Sequence, residues 1–432
     1  MSESFDQAAD QWDLPRLYAD LATAKAEVAP HKRPDLTEGE QSRLRGLLLG
    51  HSPADIAERQ YATPRTVEVG LSQTLYRYVE VLTGRDRNTL DSWRDVVPWL
   101  TEAGYRQVQL AINWAQMPEV PVFYGRQVEF DQLRASLLGD SPCRLVAING
   151  PGGIGKTTLA ITLARAVRAQ FEGVIWQSLR HCPRFEDLLP QWLSQLPGGT
   201  PAVTLHGQVD QMMEYLRSHR CLLILDNYEA VLESGSLTGE YPPEYQPYGD
   251  FLQRIGEEPH QSCVVVTSRE GSREVRWLTG PDRPVRILTL QGLTPAASQQ
   301  ILQAESLVGE KFWRTLIQTY KGNPLMLKIV ALTVREVFDG DVGQFLRQRI
   351  TLIGDIKYLI DQQYDRLSDA EQNVLYRLAE QAEPLNIDQL QAGHPNSFQA
   401  VAALLRRSLI EKSAAGFSLR PVVMEYVRQR LV

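Results

Sequence analysis

Residues 144–160 read RLVAINGPGGIGKTTLA: an apolar run breaks into a glycine-rich turn, and apolar residues at helical spacing follow. The order is strand, GxxxxGK[ST], helix, and each part has a physical reason. Gly150, Gly152, Gly153 and Gly155, with Pro151 and Ile154 between them, let the backbone curl so that successive N–H groups point at phosphate oxygens. The helix that follows adds its positive N-terminal end. Lys156 is expected to reach the β- and γ-phosphates and the Thr157 hydroxyl to ligate Mg²⁺, with Thr158 closing the binding stretch. The expected cofactors are ATP or ADP with Mg²⁺.

Downstream, RCLLILDN is a continuous apolar run, the pattern of a parallel strand buried on both faces. Asp226 at its C-terminal end is the expected Mg²⁺ carboxylate, because α/β sheets present ligand groups there. P-loop ATPases with fast turnover usually place a second carboxylate next, and this chain has Asn227. Glu229 is the remaining acid within reach: either it orients water, or it is a solvated carboxylate at a helix start. QSCVVVTSRE supplies another buried strand ending at Thr267, Ser268 and Arg269. Arg269 there is either a sensor of the γ-phosphate or a surface arginine. With VRILTL as a further strand and helical stretches between, the pattern predicts a parallel sheet covered on both faces.

The chain has 432 residues, which favours two to four domains. Its 43% hydrophobic and 22% charged residues place it among globular proteins, and no uncharged apolar run approaches the roughly 20 residues of a membrane span. MSESFDQAAD is acidic and lacks a basic-then-apolar leader, so a cytoplasmic address is expected. Four cysteines without a CxxC pair predict core thiols rather than a metal site. The net charge of −7 argues against non-specific nucleic-acid binding by the whole chain.

With these pieces in order, the chain resembles the NB-ARC branch of the STAND signalling ATPases. VPVFYGRQVEFDQL (120–133) is similar to the family's hhGRE element, which implies Phe123, Tyr124, Gly125 and Arg126 as adenine-side contacts. YKGNPLMLKIVA (320–331) is similar to the GxPL motif, which implies Pro324 closing over the base; a proline also suits the first turn of a helix. QQYDRLSDAEQNVLYRLA, RRSLIEK and FSLRPVVMEYV extend the resemblance over roughly 118–432. Bacterial, largely cyanobacterial, sequences that continue into WD-repeat propellers share this resemblance. This sequence stops after MEYVRQRLV, as a short member or a truncated chain would.

The resemblance implies a nucleotide domain at 118–290, a helical domain at 291–352 and a winged helix at 353–432. Helices across IKYLIDQQYDRL, DAEQNVLYRLAE and SFQAVAALLRRS and a hairpin around AAG fit the last. Arg420 occupies the place of a family histidine that contacts the β-phosphate; it is either an ADP clamp or a surface wing arginine. Glu229 matches the catalytic acid of related NACHT-type NTPases. Arg406, Arg407 and Lys412 raise DNA binding by the winged helix as a disfavoured alternative.

The remaining segment, 1–117, is all helical in pattern. Thr37 with Glu40 forms a capping-box signature, Pro53 opens a second helix and Thr63 caps a third. Leu44, Leu47, Ile56, Ala57, Val67, Leu71 and Leu75 have the spacing of a trihelical core, similar to a LuxR-type helix-turn-helix. Basic and acidic residues balance over 36–90, and Glu68 sits on the recognition-like helix. A module that recruits a partner protein is therefore preferred over one that binds DNA.

The fold class expected is an α/β P-loop core of AAA+/STAND type, flanked by an N-terminal helix-turn-helix-like domain and C-terminal helical and winged-helix domains. The expected function is a nucleotide-state switch with slow hydrolysis and ATP-dependent self-association. An ATP-gated DNA-binding regulator is the alternative, and no pore-loop motif supports a motor.

Overall fold

Runs of Val, Ile and Leu with no charge between them can only be satisfied inside a sheet covered on both sides, and the chain builds one. The computed structural model describes residues 5, 8–9, 12–105, 110–120, 122–139, 141–197, 200–381, 383–392 and 397–431. It divides into two units, Met1–Leu110 and Ala111–Val432.

The six-stranded sheet is built from β1 (Leu110–Ile112), β2 (Leu145–Asn149), β3 (Gly173–Ser178), β4 (Cys221–Asp226), β5 (Cys263–Ser268) and β6 (Val285–Thr289), ordered β1-β3-β4-β5-β2-β6. From β3 to β6 every pairing is parallel. β2, β4 and β5 are buried at every position. On one face Val146, Ile148, Leu222, Ile224 and Val265 pack with Leu159 and Leu163 of the helix Lys156–Val167 and Leu133 and Leu137 of the helix Gln127–Leu138. Each such buried leucine contributes about 2 kcal/mol relative to exposure. Parallel pairing brings the strand ends into step: Ser178 lies beside Asp226, and Asn149 beside both Ser268 and Thr289. One edge of the sheet therefore collects all the polar strand termini.

The sequence pattern did not single out β3 or the helix Phe185–Ser194. The helix Gln246–Glu257 carries Pro247 in its first turn, where its missing N–H costs nothing. Cys143, Cys221 and Cys263 are buried and Cys182 is exposed.

Beyond the sheet come helices Pro295–Ala304, Trp313–Thr319, Pro324–Phe338 and Val342–Arg347. Gly354–Tyr364, Asp369–Glu380, Ile387–Gln391 and Ser397–Arg406 follow, then the antiparallel hairpin β7 (Ile410–Ser413) and β8 (Gly416–Leu419), then Pro421–Leu431. One apolar cluster runs through both groups, from Leu293 to Val427. The whole is the α/β P-loop core with flanking helical regions that the sequence predicts.

The first unit holds helices Leu14–Val28, Glu38–Leu48, Pro53–Arg59, Pro64–Gln73, Leu75–Leu82 and Val96–Glu102. Thr37 and Glu40 form a reciprocal capping box, Ser52 and Asp55 a second, and Thr63 caps the helix Pro64–Gln73. Leu44, Leu47, Ile56, Ala57, Val67, Leu71 and Leu75 are all core residues. Inside lies one ammonium, Lys25, bonded to Glu40 Oε2 at 2.8 Å and to the Asp35 carbonyl at 2.9 Å. No helix among the described residues is long and apolar enough to cross a membrane.

Candidate nucleotide-binding site

The phosphate loop leaves β2 at Asn149 and enters the helix Lys156–Val167 at Gly155, which holds φ at 101°. A side chain there would be strained. Gly153, at φ 75°, answers a second need: an added Cβ would stand 2.7 Å from that of Leu325. Lys156 is buried, and its Nζ donates to the carbonyls of Gly150 at 2.9 Å and Pro151 at 3.1 Å. Burial pulls its ammonium down to about 8. Glu229 and Asp226 oppose that shift, while the charge of Arg269 adds to it.

Asp226 ends β4 and accepts two hydroxyls on one oxygen, from Thr157 at 2.7 Å and Thr267 at 2.6 Å. Burial raises its pKa, the two hydroxyls hold it down, and Glu229 pushes it up further. A buried carboxylate beside a hydroxyl is an oxygen donor set suited to Mg²⁺, which takes one or two protein ligands and keeps its waters and phosphate oxygens. No group of three His, Cys, Asp or Glu that could enclose an ion occurs among the described residues.

Asn227 turns the chain off the sheet in the left-handed conformation, φ 61°, its N–H bonded to Thr267 Oγ1. That turn directs Glu229 back across the strand ends. Both of its carboxylate oxygens then meet Arg269: Oε1 lies 3.2 Å from the guanidinium Nε, and Oε2 accepts the Arg269 backbone N–H at 3.1 Å. Arg269 in turn donates Nη2 to Gln362 Oε1 at 3.2 Å and packs its guanidinium against Gly152.

On the other side of the loop a cleft is lined by Phe123, Tyr124, Arg126, Ile154, Gly155, Thr158, Leu293, Pro324 and Lys328. Gly125 shapes its rim at φ 60°, where a Cβ would collide with Ala297. The Arg126 guanidinium is buried and braces the rim, bonding to Glu129 and to the carbonyls of Ile154 and Gln291. Lys328, one turn beyond Pro324, holds its ammonium 5.6 Å from the Tyr124 ring centroid.

Asn323 was not foreseen as a site residue, and it does two things. It caps the helix Pro324–Phe338 by accepting from Leu325 and Met326, and it donates to the Gly152 carbonyl at 2.9 Å. Leu325 N–H adds a bond to the Gly153 carbonyl at 3.3 Å. Its signal in the sequence was an Asn before Pro at a helix start. Thr267 and Lys328 also join the site; Thr267 was legible only as a strand-end hydroxyl.

Arg420 pairs with Glu411 of β7 at 3.5 Å, and Glu411 also binds Lys321 at 2.9 Å. Arg406 and Arg407 face inward: they donate to the carbonyls of Leu237 and Ser236, and Arg407 pairs with Glu270 and with Glu371 at 2.9 Å. Arg366 completes this contact by pairing with Glu270 at 2.6 Å and donating to the Leu232 carbonyl.

Comparison with known proteins agrees with this geometry. Residues 126–236 match the NB-ARC domain family. A WD repeat-containing protein of Nostoc sp. is 40% identical over 342 residues, covering 74% of this chain and 27% of its own length. A protein of Mycobacterium tuberculosis is 26% identical over 158 residues, 34% of this chain and 39% of its own. The chain thus spans only about a quarter to two fifths of these relatives. Among solved structures, a Walker-type ATPase of Pyrococcus abyssi aligns over 71% of this chain and 96% of its own with TM-score 0.51 and 15% identity. A STAND protein with a tetratricopeptide repeat sensor from Pyrococcus horikoshii aligns over 73% and 43% with TM-score 0.39 and 20% identity. The motif that opened the sequence, the parallel sheet beneath it and the family match agree: this chain carries an NB-ARC domain, a nucleotide-binding P-loop NTPase core with helical regions on either side.

Proposed function

We propose that the chain is a signalling switch whose nucleotide, ADP or ATP with Mg²⁺, sets the position of its C-terminal segments. The observation that carries this reading is the bonding of the phosphate loop itself to the helical segment. Asn323 and Leu325 grip the Gly152 and Gly153 carbonyls, and Lys321, two residues away from Asn323, grips Glu411 on the winged-helix hairpin. A change in the number of phosphates on that loop would act at once on both segments. A switch needs binding energy that differs between its two states, and contacts of this kind supply the difference.

In this reading Lys156 and the loop N–H groups hold the phosphates, Thr157 and Asp226 hold Mg²⁺, and Phe123, Tyr124, Arg126 and Pro324 surround the base. Mg²⁺ would supply charge neutralisation at the β- and γ-phosphate oxygens. Glu229 and Arg269 stand as a pair at the strand ends, so hydrolysis is slow, because the acid is already bonded to arginine through both oxygens. Arg420 is kept as a phosphate contact only in a rearranged wing, since Glu411 now holds it.

The N-terminal unit is assigned to recruiting a protein partner. Its recognition-like helix Pro64–Gln73 exposes Arg65 but also Glu68 and Val69, a poor face for a phosphate backbone. The inward-facing Arg406 and Arg407 likewise disfavour DNA binding by the winged helix.

The test is to purify the chain, identify the nucleotide that accompanies it, and size it with ADP and then with a non-hydrolysable ATP analogue. Co-purified ADP and a size increase with the analogue are expected. Absence of nucleotide binding, or rapid steady-state hydrolysis by dilute monomer, would overturn the switch.

A further inference from the structure

Arg269 stands between two kinds of acceptor. Its root is fixed by Glu229, which takes the backbone N–H with one oxygen and faces Nε with the other. Its flat face rests on Gly152 of the phosphate loop, where an added Cβ would come within 3.4 Å of the guanidinium carbon. Its outer nitrogen, Nη2, donates to Gln362 Oε1 at 3.2 Å. Gln362 belongs to the helix Gly354–Tyr364, the first helix of the winged-helix segment, and is the described partner of the guanidinium outside the nucleotide domain.

On the nucleotide-site reading above, we propose that Gln362 sets the diphosphate-versus-triphosphate preference by competing with the terminal phosphate for the Arg269 guanidinium. An amide oxygen is a neutral acceptor, and a phosphate oxygen carries charge and can take two parallel N–H bonds from one guanidinium. Each outer nitrogen carries two N–H donors, so the competition is over where the guanidinium points: drawn onto Gln362, it is held back from turning to the phosphate. A nucleoside diphosphate leaves the Arg269–Gln362 bond intact, so the winged-helix segment stays engaged. A triphosphate gains the arginine only by taking it from Gln362. The loss of that bond is a cost charged to the third phosphate alone, which is what makes Gln362 a specificity-determining residue rather than a general contributor to affinity.

The anchoring by Glu229 matters to the argument. With its backbone N–H held by Glu229, Arg269 keeps its side-chain torsions to aim the planar guanidinium at one acceptor or the other. Glu229 is therefore a positioning residue for Arg269, and the two acceptors compete for the direction its guanidinium takes. The adjoining residue, Glu270, is bonded to Arg366 and Arg407. Consecutive side chains at the end of β5 thus serve the nucleotide site and the winged-helix segment.

The experiment measures the affinity of the full chain for fluorescent ADP and for a fluorescent non-hydrolysable ATP analogue, both with Mg²⁺, and reads their ratio. Gln362→Leu, which removes the acceptor, shifts the ratio about fivefold toward the triphosphate, the scale of one hydrogen bond. Gln362→Glu, which offers the arginine a carboxylate, shifts it about tenfold toward the diphosphate. In an Arg269→Ala background neither substitution moves the ratio further. Gln362→Asn, which keeps the amide but shortens its reach, replaces the leucine variant if that one does not fold. A merely structural Gln362 would lower the melting temperature and leave the ratio where it was, and that result overturns the proposal while leaving nucleotide binding intact. If the wild-type chain binds neither nucleotide, the functional reading falls and takes this inference with it.

Discussion

Two buried polar clusters lie at the strand ends of the same sheet, and they are built on opposite plans. At the end of β4, Asp226 is met by hydroxyls from Thr157 and Thr267, with the Lys156 ammonium turned onto backbone carbonyls. At the end of β5, Glu270 is met on one oxygen by two guanidinium groups, Arg366 and Arg407, and Arg407 goes on to Glu371. The first cluster holds its charges with weak, replaceable neutral partners, hydroxyl donors for the carboxylate and carbonyl acceptors for the ammonium. The second pairs charge with charge between the nucleotide domain and the C-terminal helices. A group kept by neutral partners is available to a cation or a phosphate, whereas a group paired by charge to another segment is committed to holding the two segments together. The difference separates a binding site from a clasp.

That contrast can be broken at either end. The largest effect is expected at the clasp: Arg407→Ala leaves Glu270 and Glu371 short of a buried partner, at a cost of about 3–5 kcal/mol. Denaturant melts should show the loss, and limited proteolysis should find the loop 232–240 newly exposed; an unchanged melt would show that the pair is idle. At the site, Lys156→Ala should weaken nucleotide binding about a hundredfold, the upper scale of a hydrogen bond to a charged group, while leaving the melt of the unliganded chain nearly unchanged. Asp226→Asn keeps the shape and the hydroxyl contacts but loses the charge, so the gain in affinity from added Mg²⁺ should fall about tenfold. Titrating Mg²⁺ at fixed nucleotide measures it.

The smallest effect belongs to a pair that is neither site nor clasp, Lys25 with Glu40 in the first unit. Burial alone would raise the Glu40 pKa, but bonds from Lys25 and Thr37 win and hold it below its usual 4.5. A carboxylate with a lowered folded-state pKa contributes stability that is present above 4.5 and lost as pH falls through the lowered value. Glu40→Gln should therefore melt lower than wild type at neutral pH, and the gap should narrow on acidification. A gap that stays constant with pH would show that charge plays no part.

The fold was legible wherever a local rule sufficed. Glycines at fixed spacing gave the phosphate loop, uninterrupted apolar runs gave β2, β4 and β5, and Thr37 with Glu40 gave a helix start. β3 was harder: it begins at Gly173, ends in Gln177 and Ser178, and has only a short apolar middle. Side-chain direction across domains has no local signature at all. The sequence presents Arg406 and Arg407 as two adjacent cations on a winged helix, and nothing nearby says that both turn inward to loop carbonyls. Glu229 could be placed near the site, but its engagement by Arg269 joins two strand ends and had no periodicity to announce it. Gln362 and Asn323 belong to the same class, being polar residues whose partners lie far along the chain.

Asn227 has a bearing on how such a site could change over evolutionary time. Its left-handed backbone is a conformation that asparagine and aspartate tolerate better than other residues with a side chain. The two differ by a single base in their codons. A second carboxylate next to Asp226 is therefore one mutation away and requires no remodelling of the turn, so a lineage could gain or lose that charge at the strand end without first altering its fold.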